Sequence, residues 1–153
     1  MPIKCLTLDS AIDEWVEDFV GRKNHDIIRD MCYVGEQCIN QARSVNSYKD
    51  QTGNLRSSIG YVVVEDGNII QMSSFETVPP KNPKQGDKYT GSEDGKSFAK
   101  ELASQYPSGI CLIVVAGMKY ATYVSAKGLD VLDSAELLAD KEVSKILKKL
   151  GFK

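Results

Sequence analysis

Seven consecutive apolar residues, Ile110 to Ala116 in the stretch GICLIVVAG, stand between two glycines. A run this short and this rich in β-branched residues reads as a strand, and a strand without polar alternation must be covered on both faces. Whatever fold the chain adopts has to supply that cover.

Two other runs change the period. LRSSIGYVVV from Leu55 and NIIQMSSF from Asn68 alternate and favour β structure, and Asp66-Gly67 between them suits the positive φ angles of a tight turn. They predict an antiparallel, half-polar hairpin over 55–74. Elsewhere the spacing is helical. Ile12, Trp15, Val16, Phe19 and Val20 follow Ser10 and Asp13, a pair that resembles a capping box, and Ile27, Met31, Val34, Cys38, Ala42 and Val45 make a second stripe. One long interrupted helix, or two, is expected over 11–46. KSFAKELASQ reads as a short helix ended by Pro107 and Gly109, Tyr120 to Val124 as a turn or short strand before a break at Gly128. Asp133 and Glu136 open a final helix lined by Val143, Ile146, Leu147 and Leu150, which Gly151 stops.

Residues 76–95 hold three prolines and three glycines, too little apolar area to offset the entropy of ordering. They are expected to form a long exposed loop insertion and a candidate contact arm. The order helix, hairpin, loop, helix, strand, helix gives a single α+β domain over 1–153, with an antiparallel sheet of three to four strands.

Nineteen Lys and Arg against 21 Asp and Glu leave a net charge of -2, so no broad cationic field exists to grip nucleic acid. Lys145, Lys148, Lys149 and Lys153 sit where the negative end of the last helix favours cations. Asp9, Asp13, Glu14, Glu17 and Asp18 interrupt any leader-like segment, and no stretch reaches bilayer length, so synthesis in a cytoplasm and no membrane partner are expected. Cys5, Cys32, Cys38 and Cys111 form no C-x-x-C pair, and His25 is the sole histidine. The expectation is no metal, no cofactor and no thiol–histidine nucleophile. Cys32 and Cys38, six apart, are expected on different sides of a helix, acting as small hydrophobes.

Asp50 to Leu55, Asp-Gln-Thr-Gly-Asn-Leu, comes close to the Asp-Lys-Thr-Gly-Thr-Leu signature of phosphorylated pumps. Its flanks differ. A phosphorylated aspartate in a doubly wound fold follows a buried strand, whereas Asp50 follows a helix. An aspartic protease needs two Asp-Thr-Gly copies sharing a proton, and Gln51 intervenes here. A turn motif fits better: Asp50 or Thr52 accepts backbone N–H groups, Gly53 takes a left-handed conformation, Asn54 leads into the strand, and Arg56 is the first outward side chain. No catalytic residue is assigned. A small enzyme using Asp50 with Arg56 or Tyr48, and a module binding peptides at a sheet edge, remain as alternatives.

Helix, then Y-x-D-x-T-G-N-L-R-x-S-I, a hairpin, a strand and Y-A-x-Y-V resembles the head-tail joining or tail-completion (minor tail component) proteins of long-tailed bacteriophages and prophages. The likeness spans about residues 25–128 and rests on Asp50, Thr52, Gly53, Asn54, Leu55, Arg56, Ser58 and Ile59, with Tyr120, Ala121 and Val124 in support. Members commonly carry a glutamate after that valine, where this chain has Ser125. The resemblance implies a non-enzymatic virion protein of the tail or neck, in a ring, commonly hexameric, beside other junction proteins, with DNA passing through the lumen without specific binding. The expected subunit interface is Leu55, Arg56, Ile59, Tyr61, Val63, Tyr120, Tyr123 and Val124. Helices on one side of a single sheet would leave its other face, with Ile59, Tyr61 and Val63, to be covered by a neighbouring copy.

Overall fold

The sheet forms around the segment that follows the turn motif. In this computed structural model, which describes residues 9–152, β1 (Ile59–Glu65) lies between β2 (Asn68–Met72) and β3 (Ile110–Ala116) in the order β2-β1-β3. Both pairings are antiparallel, with Ile59 opposite Ala116 and Val62 opposite Met72. The hairpin turns through Asp66 at φ 48 and Gly67 at φ 81. A register shift opposite Val63 and Val64 passes over Ile70, a bulge that twists this edge. β1 is buried on both faces, so the hairpin is not half-polar: its first strand is central, and the continuous apolar run Tyr61 to Val64 is the signal for that.

One face of the sheet is covered by α1 (Asp9–Ser44) and α5 (Asp133–Lys149). Ile59, Tyr61 and Val63 meet Met31, Val34, Cys38 and Ala42 there, with Leu112 and Val114 alongside. The opposite face carries Val62, Val64, Ile113 and Val115 and is covered by Phe75 and α3 (Gly91–Ala103). The expectation of a bare second face is therefore overturned. The helix expected from KSFAKELASQ starts earlier, at Gly91, and covers the sheet through a column of small residues, Gly91, Gly95, Ala99 and Ala103. An i, i+4 column of that kind brings a helix close to a sheet with little hydrophobic signature.

Four further elements differ from expectation. α1 is one unbroken helix, already helical at Asp9, so Ser10 does not cap it. Residues 54–57 form a single turn, α2 (Asn54–Ser57), and the strand begins at Ile59 rather than Leu55. Tyr120 to Val124 belongs to α4 (Ala121–Ala126), a helix rather than a strand. At α5, Ser134 N–H donates to Asp130 Oδ1 at 3.2 Å, and Leu132, not Asp133, is the cap position.

The 76–95 segment is not a free arm. Its last five residues start α3, Phe75 just ahead of it is buried, and its backbone is tied back to the turn motif. Val78 N–H donates to Ser57 Oγ at 2.7 Å, and Asn54 Nδ2 donates to Lys88 O at 2.7 Å. Cys38 is fully buried, its Sγ donating to Ala135 O at 3.5 Å, and Cys32 packs at the rim of the same cluster. Both face the core because α1 is flanked by the sheet and by α5, which buries a wide arc. Burial pushes the Cys32, Cys38 and Cys111 thiols up from their usual range. Cys5 and Lys153 lie outside the described residues.

Candidate functional site

α1 ends at Ser44 with carbonyls that no further helical turn can satisfy. Arg56 meets that need: its Nε donates to Arg43 O at 3.2 Å and its Nη2 to Val45 O at 2.7 Å, with the guanidinium 5.0 Å over the Tyr48 ring. It is 8 % exposed. The outward Arg56 of the sequence reading is thus an inward one, drawn to the negative end of the helix by hydrogen bonding and by the dipole.

The turn that brings Arg56 there is built by the rest of the motif. Asp50 Oδ2 accepts the Arg56 N–H at 2.8 Å, and Thr52 Oγ1 accepts the Asn54 N–H at 3.4 Å. Gly53 stands at φ 76, and a Cβ at that position would run into Val78 O. Asn54 does not lead into the strand. It opens α2, and its Oδ1 accepts Gly91 N–H at 3.2 Å, linking the turn to α3. Ser58 Oγ donates to Leu55 O at 2.7 Å and accepts Met118 N–H at 3.3 Å, which ties the turn to the segment leading into α4.

That tie brings the two sequence motifs, some seventy residues apart, to one cleft of about 430 Å³. Asp50, Thr52 and Leu55 line it from the turn, and Tyr120, Tyr123 and Val124 from α4 and its cap. Lys49, Tyr48 and Lys127 complete the wall. The Lys127 ammonium lies 4.3 Å from the centre of the exposed Tyr123 ring. Burial raises the Tyr120 hydroxyl above its usual range, the Asp50 charge adds to this, and a hydrogen bond with Thr52 opposes it. Burial likewise raises Tyr48, against the pull of Arg56 and with the Asp50, Tyr120 and Asp130 groups adding to the rise. Tyr48 Oη is buried without a hydrogen-bond partner among the described residues.

Of the expected interface, Ile59, Tyr61 and Val63 are not at the cleft. They are at most 1 % exposed and belong to the chain's own core. Leu55 is also buried, under the cleft floor.

Two surfaces went unread. Ser10 to Arg22 are all exposed, so the stripe Ile12, Trp15, Val16, Phe19 and Val20 stands on a helical arm that no other element among the described residues covers. Trp15 and Phe19 stack at 5.7 Å. A second, larger groove of about 660 Å³ runs between α1, α5 and the start of β3, floored by Ile27, Met31, Leu112 and Val143 and rimmed by Glu65, Asp66, Glu136 and Asp140. Among the described residues, no three His, Cys, Asp or Glu side chains gather as a metal ligand set, and no helix is long and apolar enough to cross a membrane.

Comparison with protein-family models, with curated proteins and with solved structures finds no match to this chain.

Proposed function

We propose that the chain is a non-enzymatic structural component of the neck of a long-tailed phage or prophage, assembling as a homo-oligomeric ring at the head-tail junction or tail-completion site. It is made in the host cytoplasm and ends in the virion, next to other junction proteins. The observation that carries the oligomeric part is the arm: five large apolar side chains, each between 44 % and 62 % exposed, on consecutive turns of one helix. A contiguous apolar surface of that kind marks a contact with another chain. The placement in a phage neck rests on the resemblance carried by the Asp50 to Ile59 motif and by Tyr120, Ala121 and Val124. A net charge of -2 suits a lumen through which DNA slides without being held.

The second sheet face is covered by Phe75 and α3, so the apolar surface left for another copy is the arm. Asp50 is read as a turn residue rather than an acid, since its Oδ2 is engaged by a backbone N–H and it is 6 % exposed. Light scattering over a wide concentration range, with negative-stain microscopy of the heaviest species, tests the reading. Closed rings are the expected result. A chain that stays monomeric at the highest concentrations and is missing from purified particles sinks it.

One observation favours a second reading. β3 is an edge strand and its first residues, Ile110 to Leu112, line the apolar groove, the arrangement that strand-adding peptide binders use. Extended apolar peptides with basic ends should then shift the backbone amide signals of Cys111 and Leu112 in NMR titrations; unmoved signals remove this reading.

A further inference from the structure

We propose that the tyrosine-lined cleft of one copy receives the apolar arm of the next, so that copies join head to tail. The inference rests on the ring reading and names the contact that propagates it.

The arm and the cleft are chemically matched. Trp15 and Phe19 present stacked rings, and the charged side chains from Ser10 to Gly21, Asp13, Glu14, Glu17 and Asp18, are acidic; Arg22 and Lys23 follow, Arg22 paired with Asp18 at 3.1 Å and Lys23 Nζ 5.8 Å from the centre of the Phe19 ring. The cleft offers exposed Tyr120 and Tyr123 at its mouth and the ammonium groups of Lys49 and Lys127. Aromatic rings pack on tyrosines and accept lysines over their faces, while the carboxylates find opposite charge. Tyr48 supplies an independent sign that the cleft is incomplete. It is 6 % exposed, lines the cleft, and its hydroxyl has no partner among the described residues. A buried hydroxyl is normally hydrogen-bonded, and an incoming arm that parts the wall around it can supply a carboxylate to accept from it.

Two other docking modes fare worse. The larger groove beside α5 is rimmed by Glu65, Asp66, Glu136 and Asp140, which repel an acidic arm. Two arms packed in parallel would bring their own Asp13, Glu14, Glu17 and Asp18 together, again like against like.

Geometry then fixes the type of contact. The arm begins α1 and the cleft lies just past its end, where Arg56 stacks on Tyr48 and holds Val45 O. Val16 and Ser44 are separated by about 42 Å along the unbroken helix at 1.5 Å per residue. No copy can fill its own cleft, so the joint is between copies: passed on head to tail it closes into a ring or continues as a filament, whereas a reciprocal exchange of arms would stop at a two-fold dimer.

Two exposed-surface variants test this. Trp15→Asp with Phe19→Asp disables the arm, and Tyr123→Ser with Lys127→Glu disables the cleft; neither touches the core, and circular dichroism checks the fold of each. By size exclusion with light scattering, each variant alone should be monomeric where the wild type is oligomeric. An equimolar mixture should give a two-chain species and stop there, because one intact arm meets one intact cleft and both remaining ends are disabled. A cleft variant that assembles like the wild type, or a mixture that stays monomeric, overturns the proposal while leaving the ring reading standing. A wild type that is monomeric throughout overturns both.

Discussion

Along α1, Met31, Val34, Cys38, Ile39 and Ala42 are between 0 % and 7 % exposed, whereas Ile12, Trp15, Val16, Phe19 and Val20 on the same helix are between 44 % and 62 % exposed. The spacing of apolar residues is helical in both halves. What differs is the neighbourhood: the second half lies against β1, β3 and α5, and the first half projects past them. Periodicity identifies a face that wants cover, and says nothing of whether the cover comes from the same chain. The two halves also differ in what they need from their glycines. A Cβ on Gly35 would come within 2.6 Å of Cδ2 of the Tyr61 ring, while a Cβ on Gly21 meets nothing within 4 Å.

The largest effect should come from Gly35→Val. Tyr61 is 1 % exposed and has β3 and α1 around it, so the ring cannot give way without moving the sheet, and overpacking of this kind costs about 3 kcal/mol or more. Urea denaturation should find the variant largely unfolded or with a much lowered midpoint. A near-normal midpoint would show that α1 can lift from β1, which removes the contrast between the halves. Next comes Arg56→Met, which keeps the packing on Tyr48 but removes the donors to Arg43 O and Val45 O. Two charged hydrogen bonds to part-buried carbonyls imply a loss of about 2–3 kcal/mol, and faster amide exchange in the last turn of α1.

Arg56 also shows where a sequence reading stops. Its charge reads as surface, because arginine is seldom buried without partners; its partners are carbonyls that become available only where α1 ends. The hairpin through Asp66-Gly67 and the final helix up to Gly151 were legible, since turn glycines and a 3.6-residue period are local signals. The α+β class followed from them. α3 was half legible: KSFAKELASQ reads as helical, but a face of Gly91, Gly95, Ala99 and Ala103 carries too little apolar area to announce that it roofs a sheet. At the site, the turn residues Asp50, Thr52 and Gly53 were legible from their backbone preferences. That Tyr48, Lys49 and Lys127 join Tyr120 and Tyr123 in one cleft was not, because long-range links such as Ser58 to Gly117 and Met118, Ser47 to Asp130 and the shared Tyr48, Leu55, Ala121 and Val131 cluster set their distance.

The buried half of α1 should also make the fold sensitive to alkali in a way the arm does not. Burial, then the hydrogen bond to Glu36, then the Glu36 charge push the Tyr61 hydroxyl far above its usual 10.0. A group raised in the folded state contributes stability that is complete below its unfolded value and is lost as pH climbs through the folded one. Stability should therefore hold up to about pH 10 and fall above it. Tyr61→Phe should lose about 1 kcal/mol at neutral pH, from the 3.0 Å bond to Glu36 Oε1, and flatten part of the alkaline decline. An unchanged decline in that variant would assign it to other groups.

The smallest effect, and of opposite sign, is expected at Gly21→Ala. Inside an exposed helix, alanine restricts the unfolded chain more than glycine and raises stability by about 0.5–1 kcal/mol. The gain requires that the added methyl meets solvent, as the open space around Gly21 implies. Far-ultraviolet circular dichroism should show a slightly stronger helical signal and denaturation a slightly higher midpoint. If the isolated chain is instead destabilised, the methyl has collided with something, and that something can only be the chain's own body folded against the arm. The two halves of α1 would then both be covered from within, and the reason to look for a second copy would disappear with the contrast.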